Sequence, residues 1–150
     1  MADNRLEIIC PAGTPASLKV AVDEGADAVY LGFRDETNAR NFPGLNFSRA
    51  ELKDGVAYAH KNNCEIFVAI NTYADAGRQE LWHKAIDDAV TIGVDAIILA
   101  DIGLLSYAKK TYPHARLHLS VQASASTPET NNFYVENFGI KRVVLPRVLT

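Results

Sequence analysis

The chain has 150 residues, of which 22% are charged and 48% hydrophobic, and its formal charge is −3. That balance excludes a disordered tail, a collagen-like rod and a mucin-like stalk. At 16.4 kDa a folded monomer would expose roughly 7,500 Å² against about 24,000 Å² unfolded, enough burial for one core and not two. No basic run exceeds a pair (Lys109-Lys110 and Lys141-Arg142). Neither a basic nucleic-acid face nor a basic membrane-surface helix is legible, so no nucleic-acid partner is expected. Met1 to Arg5 is polar, and the apolar Leu6 to Cys10 is strand-length and stops at Pro11. No stretch approaches the roughly 20 apolar residues of a membrane span, and a cytoplasmic location is expected.

Taken in order, the elements alternate. Leu6 to Cys10 reads as a strand. Thr14 can cap a helix with Pro15 at its first position, Leu18, Ala21 and Val22 supply its face, and Gly25 offers a left-handed stop. Asp27 to Leu31 is a second strand, followed by a long polar loop from Gly32 to Phe47. Ser48 and Glu51 have the spacing of a capping box before a helix that buries Leu52, Val56 and Ala59. Cys64 to Ile70 is a third strand, and a helix from about Gly77 to Gly93 follows. Asp95 to Ala100 is a fourth strand, and Leu104, Leu105 and Ala108 mark a helix that Pro113 forbids to continue. Leu117 to Val121 is a fifth strand. Thr127 and Pro128 open a fifth helix, Gly139 ends it, and Lys141 to Leu145 is a sixth strand.

Six strands alternating with five helices, at a mean repeat of about 27 residues, predict a parallel α/β sheet with right-handed crossovers. Gly25-Ala26-Asp27-Ala28-Val29-Tyr30 is echoed by Gly93-Val94-Asp95-Ala96-Ile97-Ile98, and more weakly by Phe138 to Val144. A doubly wound sheet would be complete at this length; an eight-stranded barrel needs about 250 residues. The sixth strand has no helix behind it, which favours an incomplete TIM-type barrel. Residues 1–150 then form a single N-terminal barrel portion whose C-terminal part is absent, and its bare strand edges would favour self-association.

In such folds functional groups gather at the carboxyl ends of the strands. That rule selects Pro11-Ala12-Gly13, then Arg34, Asn38, Arg40 and Asn46 in the long loop, then Asn71, Thr72 and Tyr73, then Asp101, then Ser120, Gln122 and Ser124, and finally Arg147. Alternatives stand beside several of them. Asp101 precedes a helix and can be its cap, Asn71 can close a turn, and Ser120 can face a helix. Arg34, Arg40 and Arg49 can clamp a carboxylate or phosphate through bidentate bonds, or pair with Asp35 and Glu36. There is no G-x-G-x-x-G, Walker loop, G-x-S-x-G elbow or H-E-x-x-H. His114 and His118 are four apart, but Pro113 and the strand at Leu117 deny them a common helix face, and no metal site is expected. His60 and His83 read as surface or rim residues. Cys10 and Cys64 are the only cysteines and read as reduced, buried thiols.

Ile9-Cys10-Pro11-Ala12-Gly13, followed by Gly25 to Gly32, resembles the opening of the collagenase-like peptidase family of unknown catalytic type. Thr37-Asn38-Ala39-Arg40, Gly44-Leu45-Asn46-Phe47, Ala69 to Thr72, Ile98 to Asp101, Ser120 to Ser124 and Val144 to Leu149 carry the resemblance along nearly the whole chain. The Thr37 to Phe47 loop resembles most the branch of the family that acts in oxygen-independent ubiquinone biosynthesis. The resemblance implies ring hydroxylation in a heterodimer with a sister protein, a [4Fe–4S] cluster on four cysteines of the full-length protein, and prephenate as hydroxyl donor. Other members hydroxylate RNA bases, and the peptidase label comes from collagenase-type members. Cys10 and Cys64 do not match the cluster ligands, so no cofactor is expected on this chain and no activity from it alone. Under this resemblance Asn71, Asp101 and Gln122 are the candidate catalytic residues lining the pocket. Arg34, Asn38, Arg40, Asn46, Ser120 and Arg147 are the candidate substrate-binding residues, with Arg34 or Arg40 on a carboxylate.

Overall fold

The computed structural model describes residues 6–147. One sheet of six parallel strands runs in chain order, β1 (Ile9–Pro11), β2 (Ala28–Gly32), β3 (Glu65–Ile70), β4 (Ala96–Leu99), β5 (Leu117–Leu119) and β6 (Arg142–Val143). The helices α1 (Pro15–Asp23), α2 (Arg49–Lys61), α3 (Gln79–Ile92), α4 (Ile102–Thr111) and α5 (Pro128–Phe138) connect them. The sheet is curled, and the structure is an incomplete TIM-like barrel. Arg142 of β6 reaches across to an ion pair with Glu7, beside β1 at the other end of the strand order. The total accessible surface is 8779 Å², above the roughly 7,500 Å² of a closed monomer of this mass. Among the described residues β1 and β6, at the two ends of the strand order, are each paired on one side only.

The helix signals act as the local chemistry requires. The Thr14 hydroxyl accepts the Ser17 N–H, with Pro15 at the first helical position. Ser48 and Glu51 form a reciprocal capping box, and Thr127 caps α5. Gly93 and Gly139 end α3 and α5 in left-handed conformations, with φ of 91° and 68°. Several boundaries differ from expectation. β1 begins at Ile9 and β6 covers only two residues, because an edge strand of a parallel sheet is paired on one side alone. β5 stops at Leu119: the Ser120 hydroxyl accepts the Gln122 N–H and turns Val121–Ala123 into a 3-10 turn. α3 starts at Gln79, since Gly77 sits at φ 80° in the preceding turn.

The internal echo has a physical basis. Asp27 and Asp95 each precede a strand and accept a backbone N–H from the segment alongside, from Ile8 just before β1 at 2.8 Å and from Ile66 of β3 at 2.7 Å. The third copy has Lys141 at that place, and only its backbone N–H bonds the neighbouring strand, to the Leu117 carbonyl.

The two faces of the sheet differ. Val29, Leu31, Ile66, Val68, Ile70, Ile97, Leu99, Leu117 and Leu119 pack under the helices with Leu18, Leu52, Trp82, Ile86 and Leu104 in the main core. The concave face carries a second, small cluster of Ala28, Phe67, Ala69, Ala96 and Ile98 with Tyr30.

Candidate functional site at the carboxyl ends of the strands

The loop after β2 is an ordered structure built over the strand end. Its return leg lies beside its start: Phe47 N–H donates to the Gly32 carbonyl at 3.1 Å and Arg34 N–H to the Phe47 carbonyl at 3.0 Å. The loop is then fastened from below by Arg49, the first residue of α2. Its guanidinium donates to Asp35 at 2.5 Å and to Asp88 of α3 at 3.1 Å, and stacks 3.8 Å from the centroid of the Phe33 ring. Asp35 in turn accepts from the Thr37 amide and hydroxyl, and Thr37 is fully buried. Asp88, whose burial alone would raise its pKa, is held below the usual carboxylate range by hydrogen bonds from Lys84 and Arg49.

Asn38 and Asn46, two of the expected substrate-binding residues, are both buried and bind each other. Asn38 Nδ2 donates to Asn46 Oδ1 at 2.9 Å, Asn38 Oδ1 accepts the Arg40 N–H, and Asn46 Nδ2 donates to the Arg40 carbonyl at 2.7 Å. Asn46 adopts φ 73°, a conformation asparagine tolerates better than other side chains. Arg34 is engaged: it donates to Glu51 and to the Asn46 carbonyl, each at 2.9 Å. Glu51 has its pKa lowered by the Ser48 backbone N–H and hydroxyl and by Arg34. Arg40 is exposed, and its guanidinium has no partner among the described residues.

The four residues after β3 tie this loop to the others. Asn71 Oδ1 accepts the Ala39 N–H at 3.0 Å. Thr72 donates its hydroxyl to the Glu36 carbonyl and accepts from the Trp82 indole. Tyr73 donates to the Gln122 carbonyl at 3.1 Å, and Ala74 N–H donates to Asp101 Oδ2 at 3.1 Å. Asp101 Oδ1 meanwhile caps α4 through the amides of Gly103 and Leu104. Asn71, Asp101 and Gln122 are therefore brought together by one strut. Asp101 spends both carboxylate oxygens on structure. The exposed Gln122 keeps a side-chain amide without a partner among the described residues. Ser120 is buried. Arg147 is exposed at the end of the described chain, beyond β6.

His118 was not among the expected site residues. It is 2% exposed and lies on the concave face, edge-on to Phe67 with ring centroids 4.8 Å apart. Burial, with Arg142 and Arg116 nearby, holds its pKa down at about 4, so it is neutral at physiological pH. The alternation His118-Leu119-Ser120, polar positions two apart on a strand, is the sequence signal that could have found it.

A [4Fe–4S] cluster does not fit the residues of this chain. It takes four thiolates and the sequence holds two cysteines. Cys64 is buried beneath the helices, which with the neighbouring Cys10 pushes its thiol pKa up, away from the thiolate a metal needs. Among the described residues no group of three or more His, Cys, Asp or Glu is placed to hold a metal ion. No helix among them is long and apolar enough to cross a membrane.

The fold defines a (β/α)-barrel-type protein with a polar rim at the strand ends. Solved structures agree on that fold: a type I 3-dehydroquinate dehydratase from Clostridium difficile (TM-score 0.64, 11% identity, 93% of this chain and 60% of that one) and DHDPS from Cyanidioschyzon merolae (TM-score 0.62, 12% identity, 95% and 56%). The chain belongs to peptidase family U32, which it matches over residues 13–150. Relatives include a tRNA hydroxylation protein P of Helicobacter pylori, 35% identical over 98% of this chain and 34% of that protein. The 23S rRNA 5-hydroxycytidine C2501 synthase of Escherichia coli is 34% identical over 99% and 22%. A collagenase of Porphyromonas gingivalis is 30% identical over 87% and 31%. The chain spans about a third of the length of the hydroxylation proteins it matches.

Proposed function

We propose that this chain is the N-terminal barrel portion of a UbiU-like protein, which works with a UbiV-like partner in oxygen-independent hydroxylation of the ubiquinone ring. The observation that carries the reading is the loop from Thr37 to Phe47. The residues whose pattern points to that branch, Asn38, Arg40 and Asn46, are the ones that build the hydrogen-bonded loop over the sheet. Arg40 then presents a free guanidinium suited to a carboxylate of the hydroxyl donor, with Arg147 as a second cation on the rim. Asn71 and Gln122 line the pocket, and Asp101 acts by holding the strut. The cluster would draw its thiolates from outside this chain, and the chain alone is inactive in this reading. The test is the quinone content of a strain lacking the gene, grown with and without oxygen. Loss of ubiquinone only without oxygen is the expected result; unchanged ubiquinone in both conditions overturns the reading.

RNA-base hydroxylation is the second reading, favoured by the similarity to tRNA and rRNA hydroxylation proteins. Mass spectrometry of RNA from the same strain decides it, through the absence of a hydroxylated base. Peptidase activity has the collagenase relative behind it. Against it, no serine or cysteine hydrogen-bonds a histidine among the described residues, and turnover of gelatin would be its test.

A further inference from the structure

A cavity of about 440 Å³ opens where α4 and α5 end and β5 and β6 begin, at the amino ends of the strands and away from the polar rim. That volume lies within the range of small-ligand sites. The two basic pairs, Lys109-Lys110 and Lys141-Arg142, look isolated in sequence. The fold brings Lys109 and Lys141 to this one cavity, together with His114 and Arg116. No carboxylate is among the residues lining it, in a chain whose formal charge is −3. Tyr112 and Phe138 are its aromatic residues. The frame is held in place. Ala115 N–H donates to the Tyr112 carbonyl and Lys141 N–H to the Leu117 carbonyl, each at 2.9 Å, and the Tyr112 hydroxyl donates to Asp87 at 2.8 Å.

Cations are ordinarily placed at the carbonyl ends of helices, and Lys109 is one of these: its ammonium donates to the Asn137 carbonyl in the last turn of α5, at 2.7 Å. Arg116 is spent as well, on Glu65 and on the Asp95 carbonyl. Lys141 and His114 lie beyond the helix ends and are exposed, and their side chains have no partner among the described residues. Lys109 keeps two further N–H donors. A carboxylate is best recognised by the fork of a free arginine, and this cavity offers none. Two ammonium groups match instead the charge of a phosphate monoester, about −1.5 to −2 at neutral pH, and lysine binds phosphate as a point charge. The aromatic residues suit a flat body attached to that phosphate. We infer that this cavity is a binding site for an aromatic phosphate monoester of the nucleoside monophosphate type, with the phosphate on Lys109, Lys141 and His114. The site goes beyond the hydroxylation reading and shares no residue with the polar rim.

The test is ¹H–¹⁵N NMR of the 150-residue chain at neutral pH and about 0.15 M salt. The probes are AMP, phenyl phosphate, adenosine, inorganic phosphate and a short oligouridylate with hydroxyl ends. AMP and phenyl phosphate are expected to shift the amides of residues 114–116 and 138–141 saturably, with adenosine and inorganic phosphate at least about tenfold weaker. Lys141→Glu is expected to weaken AMP binding by about tenfold or more at an unchanged Tm, since its side chain is exposed. Lys110→Glu, a charge reversal beside Lys109 that does not line the cavity, should leave the affinity nearly unchanged. Absence of a saturable shift with both esters, or unchanged AMP affinity in Lys141→Glu, overturns the proposal. Equal binding of inorganic phosphate overturns it as an adventitious ion only, and an equal loss in Lys110→Glu overturns it as diffuse surface charge. Tighter binding of the oligouridylate than of AMP overturns it in favour of an RNA strand.

Discussion

Asn38 and Asn46 stand eight residues apart in the chain and are joined by one 2.9 Å hydrogen bond that closes the loop over β2. Removing the Asn46 side chain leaves the buried Asn38 Nδ2 without its partner and takes one of two donors from the Arg40 carbonyl, which keeps the Phe42 N–H, a loss of about 1–3 kcal/mol. Asn46→Gly keeps the φ of 73° without steric cost, whereas Asn46→Ala adds about 1 kcal/mol of left-handed strain. Both are expected to lower the urea midpoint, with the alanine variant the worse of the two.

Gly32→Ala should have a similar effect from the strand side. A Cβ there would meet Asn38 Nδ2 at 2.1 Å and Cγ at 2.4 Å, and Asn38 is tethered, so it cannot simply swing away. A cost of about 1–3 kcal/mol is expected. Hydrogen exchange should quicken at the Arg40 amide, which Asn38 Oδ1 now holds.

Arg49→Lys tests the fastening of the loop. A lysine is a single point charge; it cannot bond Asp35 and Asp88 at once while stacking on Phe33. The expected loss is about 1–2 kcal/mol, with faster exchange confined mainly to residues 34–47. Unchanged exchange there would show that the loop holds itself.

Stability should fall as the solution is acidified from pH 6.5 toward pH 4. His118 has its pKa depressed from 6.5 to about 4. Between those values the unfolded chain binds a proton that the folded chain refuses. The contribution is complete above pH 6.5 and is lost through that window, roughly 3 kcal/mol in all. Asp88, also depressed, adds a loss in the same direction at lower pH. Denaturation curves of His118→Gln should lie flatter than the parent between pH 6.5 and 4.5.

Arg40→Ala in the full-length protein should leave the fold intact, because the side chain has no partner among the described residues. A lost charge-assisted contact of about 1.5–3 kcal/mol corresponds to a rise of roughly 10- to 100-fold in KM for the hydroxyl donor. Rates measured against donor concentration check this, and an unchanged KM removes Arg40 from the site.

The alternation of strands and helices, the Thr14, Ser48 and Thr127 caps and the glycine stops were legible because they depend on residues within a few positions of one another. The polar rim was legible as a list, since the carboxyl ends of parallel strands lie on one side. What each rim residue does was not. Arg34 and Arg40 look alike in sequence, yet Glu51, contributed by α2, occupies the first and leaves the second free. Asp101 could be read as a cap or as a site carboxylate, and only the placement of Ala74 beside it shows that both oxygens are engaged. His118 was missed because its surroundings come from β3, β4 and β6. Burial, the edge-on ring of Phe67 and the register pairing with Arg142 exist only once the sheet has curled. Local backbone chemistry determined the elements; contacts between residues far apart in sequence decided which polar groups are spent on structure and which are left to act.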